Sequence, residues 1–117
     1  MSANLIVTTS NEIAGKPIEA YLGVVRGISV RIPSPGEGFR ALGQALSGNW
    51  GAGAEMYLKL CEEARAEAFD RMVAHARKLG ADAVIAMRYD ANDVAQGAAE
   101  VLAYGTAVRL SQSEPEA

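Results

Sequence analysis

The chain has 117 residues and a net charge of -3, and we expect residues 1–117 to form one domain, with a core at about 5–110 and a disordered tail at 111–117. Half of the residues are hydrophobic and 21% are charged, which argues against intrinsic disorder. The acidic balance argues against a nucleic-acid partner, because phosphate binding requires clustered Lys and Arg.

Three features predict a cytoplasmic protein without a membrane partner. Cys61 is the single cysteine, so no intramolecular disulfide can form, and this fits a reducing compartment. The first ten residues lack the basic region of a signal peptide. No apolar run approaches the roughly 18 residues that a membrane span needs.

The first third of the chain is typical of β-structure. Leu5–Thr9 predicts a short strand, and Gly15 and Pro17 predict a turn after it. Residues 18–32 alternate with period 2, which predicts one buried face. Because about 15 residues would make a strand of roughly 50 Å, we expect a break at Arg26–Gly27. The predicted buried face consists of Ile18, Ala20, Leu22, Val24, Ile28, Val30 and Ile32.

The middle of the chain predicts helices. Helical spacing over Phe39–Leu46 predicts a short helix, Ser47–Gly53 a loop, and Ala54–Leu79 the principal helix. Glu67 and Arg71 are an i,i+4 pair that favours this helix. Its apolar stripe consists of Tyr57, Leu60, Cys61, Ala64, Ala68, Met72, Ala76 and Leu79.

The last third predicts two strands. Gly80 is placed to cap the principal helix, and Asp82 to accept hydrogen bonds from backbone donors in the turn. Ala83–Tyr89 predicts a strand, Asp90–Ala99 a polar turn region and Glu100–Leu110 a closing strand. Leu102, Tyr104, Thr106, Val108 and Leu110 share one parity of that last strand.

The length of the principal helix predicts self-association. A helix of 26 residues rises about 39 Å, whereas about 30 Å is the diameter of a small domain. Part of its apolar stripe would therefore be exposed in a monomer, and we expect a homo-oligomer. The alternative is a helix that frays at its start.

The order and spacing of several short segments resemble the YbjQ-like family. The segments are Thr8–Thr9, Ile13–Gly15, Tyr21–Val25, Ala76–Ile85 and Gly105–Val108. The resemblance implies an α+β fold, a two-layer arrangement in which an antiparallel sheet packs on one long helix, similar to the dodecin subunit. It also implies a cytoplasmic protein that assembles as a pentameric ring, and it brings a description as heavy-metal binding. Relatives often carry a Gly-Gly-Arg loop before the helix, whereas Ser47–Gly53 lacks the arginine, which puts an anion-binding role in doubt.

Two residues are candidate metal ligands, Cys61 and His75. They are fourteen positions apart on the predicted helix, about 21 Å along its axis, so they cannot share a metal within one subunit. A ring could gather one ligand from each copy. The alternative roles are a buried structural thiol for Cys61 and a favourable cation near the helix end for His75.

No arrangement of Ser, His and Asp has the context of a nucleophile, so we expect no catalytic residues and no enzyme activity. Asp90, Asn92 and Asp93 lack the glycine and the twelfth-position glutamate of an EF-hand. Nothing in the sequence identifies a cofactor. The sequence therefore favours a ring-forming structural or small-ligand-binding module whose partner is itself. The alternative is a heavy-metal-binding protein with ligands shared between subunits.

Overall fold

The computed structural model describes residues 4–31, 50–95 and 98–111. The described elements, in chain order, are β1 (Ile6–Val7), β2 (Ile18–Arg31), α1 (Trp50–Lys78), β3 (Ala83–Ala95) and β4 (Ala98–Leu110). The strands form one sheet in the order β1-β3-β4-β2, and α1 packs against it. This α+β arrangement agrees with the expected class. The sheet is mixed rather than antiparallel, because β1 pairs with β3 in parallel.

The principal helix is longer than its sequence pattern predicts. It begins at Trp50, so residues 50–53 are helical, although Gly51 and Gly53 predicted a loop there. The predicted cap is confirmed: Gly80 has a φ of 76°, and the amide of Ala81 donates to the carbonyl of Ala76 at 3.1 Å. The short helix predicted at Phe39–Leu46 and the tail at 112–117 lie outside the described residues.

β2 is one continuous strand of 14 residues at the edge of the sheet, so the break predicted at Arg26–Gly27 is wrong. The irregularities lie earlier, between Ile18 and Ala20 and between Tyr21 and Gly23, where Gly23 has a φ of 123°. Gly27 does not bend the strand but allows close packing of α1. A Cβ there would overlap the Ala68 carbonyl oxygen and the Met72 amide nitrogen, so glycine lets α1 approach the strand backbone.

β3 and β4 form a long hairpin through the segment that we predicted to be a polar turn. Asp90 to Asp93 lie in β3 and pair with Leu102 to Ala99 of β4, and β3 ends only at Ala95. Asp90 and Asn92 are strand residues with exposed side chains. β3 also carries a bulge between Ile85 and Arg88, where Ala86 adopts a φ of 54°.

The main core lies between α1 and the sheet and is built largely from small side chains. The helix contributes Ala64, Ala68, Met72 and Ala76, the middle of the predicted stripe. The sheet contributes Val25, Val84, Met87, Val101, Ala103 and Ala107. In β2 the parity that points at the helix is Val25, Gly27 and Ser29, all buried. The face predicted to be buried is therefore the wrong one in this half of β2: Val24, Ile28 and Val30 point away from the helix.

A second, smaller core covers one end of the face of the sheet that points away from α1. Ala83, Ile85, Val108 and Leu110 pack there with Ile6, Ile13 and Ile18. Asp82 helps to fix this end, since its carboxylate accepts a hydrogen bond from the Leu110 amide at 2.9 Å. We expected Asp82 to accept hydrogen bonds from backbone donors in its own turn, but it accepts one from a backbone amide of β4.

Candidate functional site

The other end of that sheet face carries large apolar side chains that the described residues do not cover. We call this surface the outer patch, made of Val24, Ile28 and Val30 of β2 with Leu102 and Tyr104 of β4. Ile28 lies opposite Leu102, and Arg26 lies opposite Tyr104, so these side chains share one face. Val24 is 69% exposed, Val30 49% and Ile28 41%.

Branched apolar side chains occur on both faces of the sheet, although α1 packs on only one of them. The face against α1 combines Gly27, Ala103 and Gly105 with Val25 and Val101, whereas the outer patch holds only branched and aromatic residues. Exposed apolar side chains that are grouped on one face in this way indicate an interaction surface. The signal was in the sequence, because the glycines and alanines alternate with the larger residues, but we assigned the larger residues to the core.

Charged residues lie within and beside the outer patch. Arg26 lies between Val24 and Ile28 on β2, and its side chain is exposed. Arg88 lies opposite Tyr104, and one of its Nη atoms donates to the Thr9 carbonyl at 2.9 Å. Asp90 lies opposite Leu102 and Glu100 lies opposite Val30, so the patch has a basic row and one acidic side chain in each of the next two rows along the strands.

The first half of α1 extends past the end of the sheet. Glu67 and Arg31 form an ion pair at 3.8 Å, which places Glu67 level with the last residue of β2, and Arg31 lies opposite Ala99 at the hairpin end of β4. The helix continues from Glu67 back to Trp50. We call residues 50–63 the projecting half; their rise is about 21 Å.

The apolar stripe of the helix continues into the projecting half, but its side chains are less buried there than in the part of the helix that packs on the sheet. Ala64 is the first residue of the main core along the described part of α1. Before it, Leu60 and Cys61 are half-buried, and Leu58 is 61% exposed. The expected thiol burial of Cys61 is therefore only partial.

A polar cluster ties α1 to the free edge of β2. The fully buried Ser29 hydroxyl donates to Oε1 of Glu67 at 2.5 Å, and this hydrogen bond lowers the pKa of Glu67, aided by the charges of Arg71 and Arg31. The predicted pair of Glu67 and Arg71 is confirmed at 3.4 Å. Arg71 also donates to the Ile28 carbonyl at 2.6 Å. Ser29, Glu67 and Arg71 thus join α1 to β2, so the cluster serves to dock the helix on the strand.

His75 acts on the same edge. The amide of Arg26 donates to its Nδ1 at 3.3 Å, which requires the proton to be on Nε2. Arg71 and His75 therefore occupy one carbonyl and one amide of the β2 edge, which would otherwise be open to pairing with another strand.

The structure does not bring the two candidate metal ligands together. Cys61 and His75 lie on one continuous helix, and within the described ranges no group of three or more His, Cys, Asp or Glu side chains could hold a metal ion. Asp90 and Asp93, considered for calcium, lie along β3 rather than in a loop. Among the described residues, no helix is both long enough and apolar enough to cross a membrane.

The sequence profile of the YbjQ family, described as "Putative heavy-metal-binding", matches residues 5–111. The chain belongs to this family. A UPF0145 protein of Chromobacterium violaceum is 51% identical over 106 residues, which cover 90% of this chain and 87% of that protein. A UPF0145 protein of Legionella pneumophila (strain Philadelphia 1) is 48% identical over 105 residues, 89% and 96% of the two chains. The resemblance seen in the sequence is thus confirmed.

A solved structure shares the fold. It is a protein of unknown function of the DUF74 family from Pediococcus pentosaceus, with a TM-score of 0.57 and 20% identity over 92% of this chain and 98% of that one. At this identity the likeness concerns the fold alone. It supports the arrangement of one helix on a four-stranded sheet in this chain.

Proposed function

We propose that the protein is the subunit of a cytoplasmic homo-oligomeric ring, a pentamer, that serves as a structural or small-ligand-binding module without enzymatic activity. The observation that carries the proposal is the outer patch: three branched side chains of β2 point away from the subunit's own helix. Fully burying an exposed side chain of this kind is worth roughly 1.5–3 kcal/mol, and about half of that remains to be gained here, because the three are 41% to 69% exposed. A second copy is the partner that is always present at the concentration of the protein itself.

The helix supports the same proposal. Its projecting half carries apolar residues beyond the end of the sheet, as its length predicted. Isolated helices of about 12–15 residues are marginal in water, so this segment gains stability from packing against another surface. A cyclic assembly would supply that surface to every copy, and a ligand would bind between subunits.

Native mass spectrometry of the untagged protein tests this function, because it reads subunit number and any retained ligand together. The proposal expects a closed oligomer at micromolar concentration, with five subunits. A monomeric species under these conditions would contradict the whole proposal, whereas a closed oligomer of another size would contradict only the pentamer.

The second candidate is a heavy-metal-binding protein, favoured by the description of the family and by the position of Cys61 on the projecting half. In a ring, thiols from several copies could approach one another, which a single subunit cannot achieve. Zinc or copper titration followed by desalting and metal analysis tests it. This candidate expects stoichiometric binding that Cys61→Ala or His75→Ala abolishes; binding that neither variant changes would reject these ligands.

A further inference from the structure

The chain displays two separate apolar surfaces, and they differ in shape. One is the outer patch, a pleated sheet face; the other is the projecting half of α1, a single helix. A surface that pairs with itself generates a two-fold dimer, whereas two different surfaces that pair with each other generate a ring when the rotation closes. The outer patch of one copy can therefore pair either with the outer patch or with the projecting half of another copy.

The two surfaces match in length. From Val24 to Val30 the strand advances six residues, about 20 Å at 3.3 Å per residue. The projecting half rises about 21 Å over residues 50–63. A helix laid along the strand direction would cover the whole row of Val24, Ile28 and Val30.

The two surfaces differ in charge. The projecting half carries Glu55, Glu62 and Glu63 with one base, Lys59. All four of these side chains are exposed. The outer patch has two bases, Arg26 and Arg88, in one row and two acids, Asp90 and Glu100, in the next two rows. Two projecting halves packed together would set acids against acids, and two outer patches packed together would leave both projecting halves bare.

The free edge of β2 is a poorer place for contact. Arg71 donates a hydrogen bond to the Ile28 carbonyl, and His75 accepts one from the Arg26 amide. The addition of another strand at this edge would require both hydrogen bonds to break. The face of β2 that points away from α1 remains accessible at Arg26 and Ile28, where the backbone edge is already hydrogen-bonded.

We propose that the outer patch of one copy receives the projecting half of α1 from the next copy, so that Leu58 and Cys61, which are i,i+3 neighbours on one face of the helix, pack on Val24, Ile28 and Val30. This inference rests on the proposed function and specifies its interface. Each subunit gives a helix to one neighbour and a sheet face to the other, which is a head-to-tail contact. The occupant of the outer patch is thus a second copy of this chain.

The single native thiol makes the contact directly testable. Cys61 lies on the projecting half, and Val24→Cys, Ile28→Cys and Val30→Cys each place one second thiol on the outer patch. Val24 is 69% exposed in the subunit, so at least this substitution leaves the fold intact. Each purified variant is oxidised and run on a denaturing gel without reductant. The matched control is Glu12→Cys, an exposed residue of the segment before β2.

The inference expects at least one patch variant to form a ladder of covalent dimers, trimers and higher species. The ladder disappears with reductant and also when Cys61→Ser is added, while Glu12→Cys forms none. Dimers that persist with Cys61→Ser would show patch-to-patch pairing and overturn the inference. An oligomer that none of the three variants cross-links would overturn it as well. Light scattering on the same samples separates the two claims, because a monomeric wild type contradicts the proposed function itself.

Discussion

The backbone amide of Met72 on α1 occupies the space that a Cβ at Gly27 of β2 would need. Helix and strand are in backbone contact at this point, and Met72 is fully buried beside it. The close approach explains why β2 has a glycine on its helix-facing side at this point.

Gly27→Ala tests this contact. The added methyl group cannot be accommodated without moving the helix, so we expect a loss of about 1–3 kcal/mol in the free energy of unfolding. Urea denaturation followed by circular dichroism measures it. Glu19→Ala, at an exposed position of the same strand, should change stability by no more than about 0.5 kcal/mol. Equal effects of the two changes would refute the close approach.

The lowered pKa of Glu67 predicts a dependence of stability on acid. The Ser29 hydroxyl bond, followed by Arg71 and Arg31, favours the charged carboxylate in the folded state. The pKa is therefore lower folded than unfolded, so this stabilisation is fully present above the unfolded value of about 4.5 and is lost as pH falls through the folded pKa. Melting temperatures of the wild type and Glu67→Gln should differ at neutral pH and converge in acid. A constant difference would count against the prediction.

The bond between His75 and the Arg26 amide predicts local protection of the β2 edge. In His75→Ala this amide loses its acceptor, so its hydrogen exchange should accelerate while exchange in the centre of β4 stays unchanged. His75→Asn is the matched variant, because a side-chain oxygen can replace Nδ1 as the acceptor. Exchange followed by NMR measures both. Unaltered exchange at Arg26 in the alanine variant would show that the bond is not formed in solution.

The cap of the principal helix gives a further prediction. Gly80 has a φ of 76°, a conformation that costs a residue with a Cβ about 1–2 kcal/mol. Gly80→Ala should lower the free energy of unfolding by about that amount. Gly80→Asn should cost less, since asparagine tolerates this conformation. If thermal unfolding shows that Gly80→Asn is less stable than Gly80→Ala, the left-handed conformation of the cap does not determine which residue is favoured at position 80.

Local signals in the sequence predicted the elements well where one residue decides the outcome. Gly80 ends α1 because its conformation excludes most other residues, and the spacing of Ala64, Ala68, Met72 and Ala76 defines the buried helix face. The turn at Gly15 was found in the same way: it has a φ of 78°, and the Lys16 amide donates to the Ile13 carbonyl at 3.1 Å. The family resemblance followed from several such segments in order.

The sequence could not show which face of the sheet meets the helix. Alternation separates two faces, but hydrophobicity alone assigns the larger residues to the subunit's own core. Here Gly27 makes room for the helix and Gly105 makes room for β3, so the face that holds these glycines is inside. The prediction of a turn from Asp90 onward was wrong for a related reason, because the polar residues Asp90 and Asn92 belong to strand β3 of a hairpin. Contacts between distant segments, such as Ser29 with Glu67, left no local signal.

The central claim is that another copy of the chain covers the outer patch, and the solution mass of Val24→Asp beside the wild type tests it most directly. Light scattering after size exclusion should give the wild type a mass several times that of one chain. Val24→Asp should dissociate to one chain with an unchanged circular dichroism spectrum, while Ala14→Asp, an exposed loop change, should retain the wild-type mass. A wild type with the mass of one chain, or a Val24→Asp variant that assembles like the wild type, would contradict the claim.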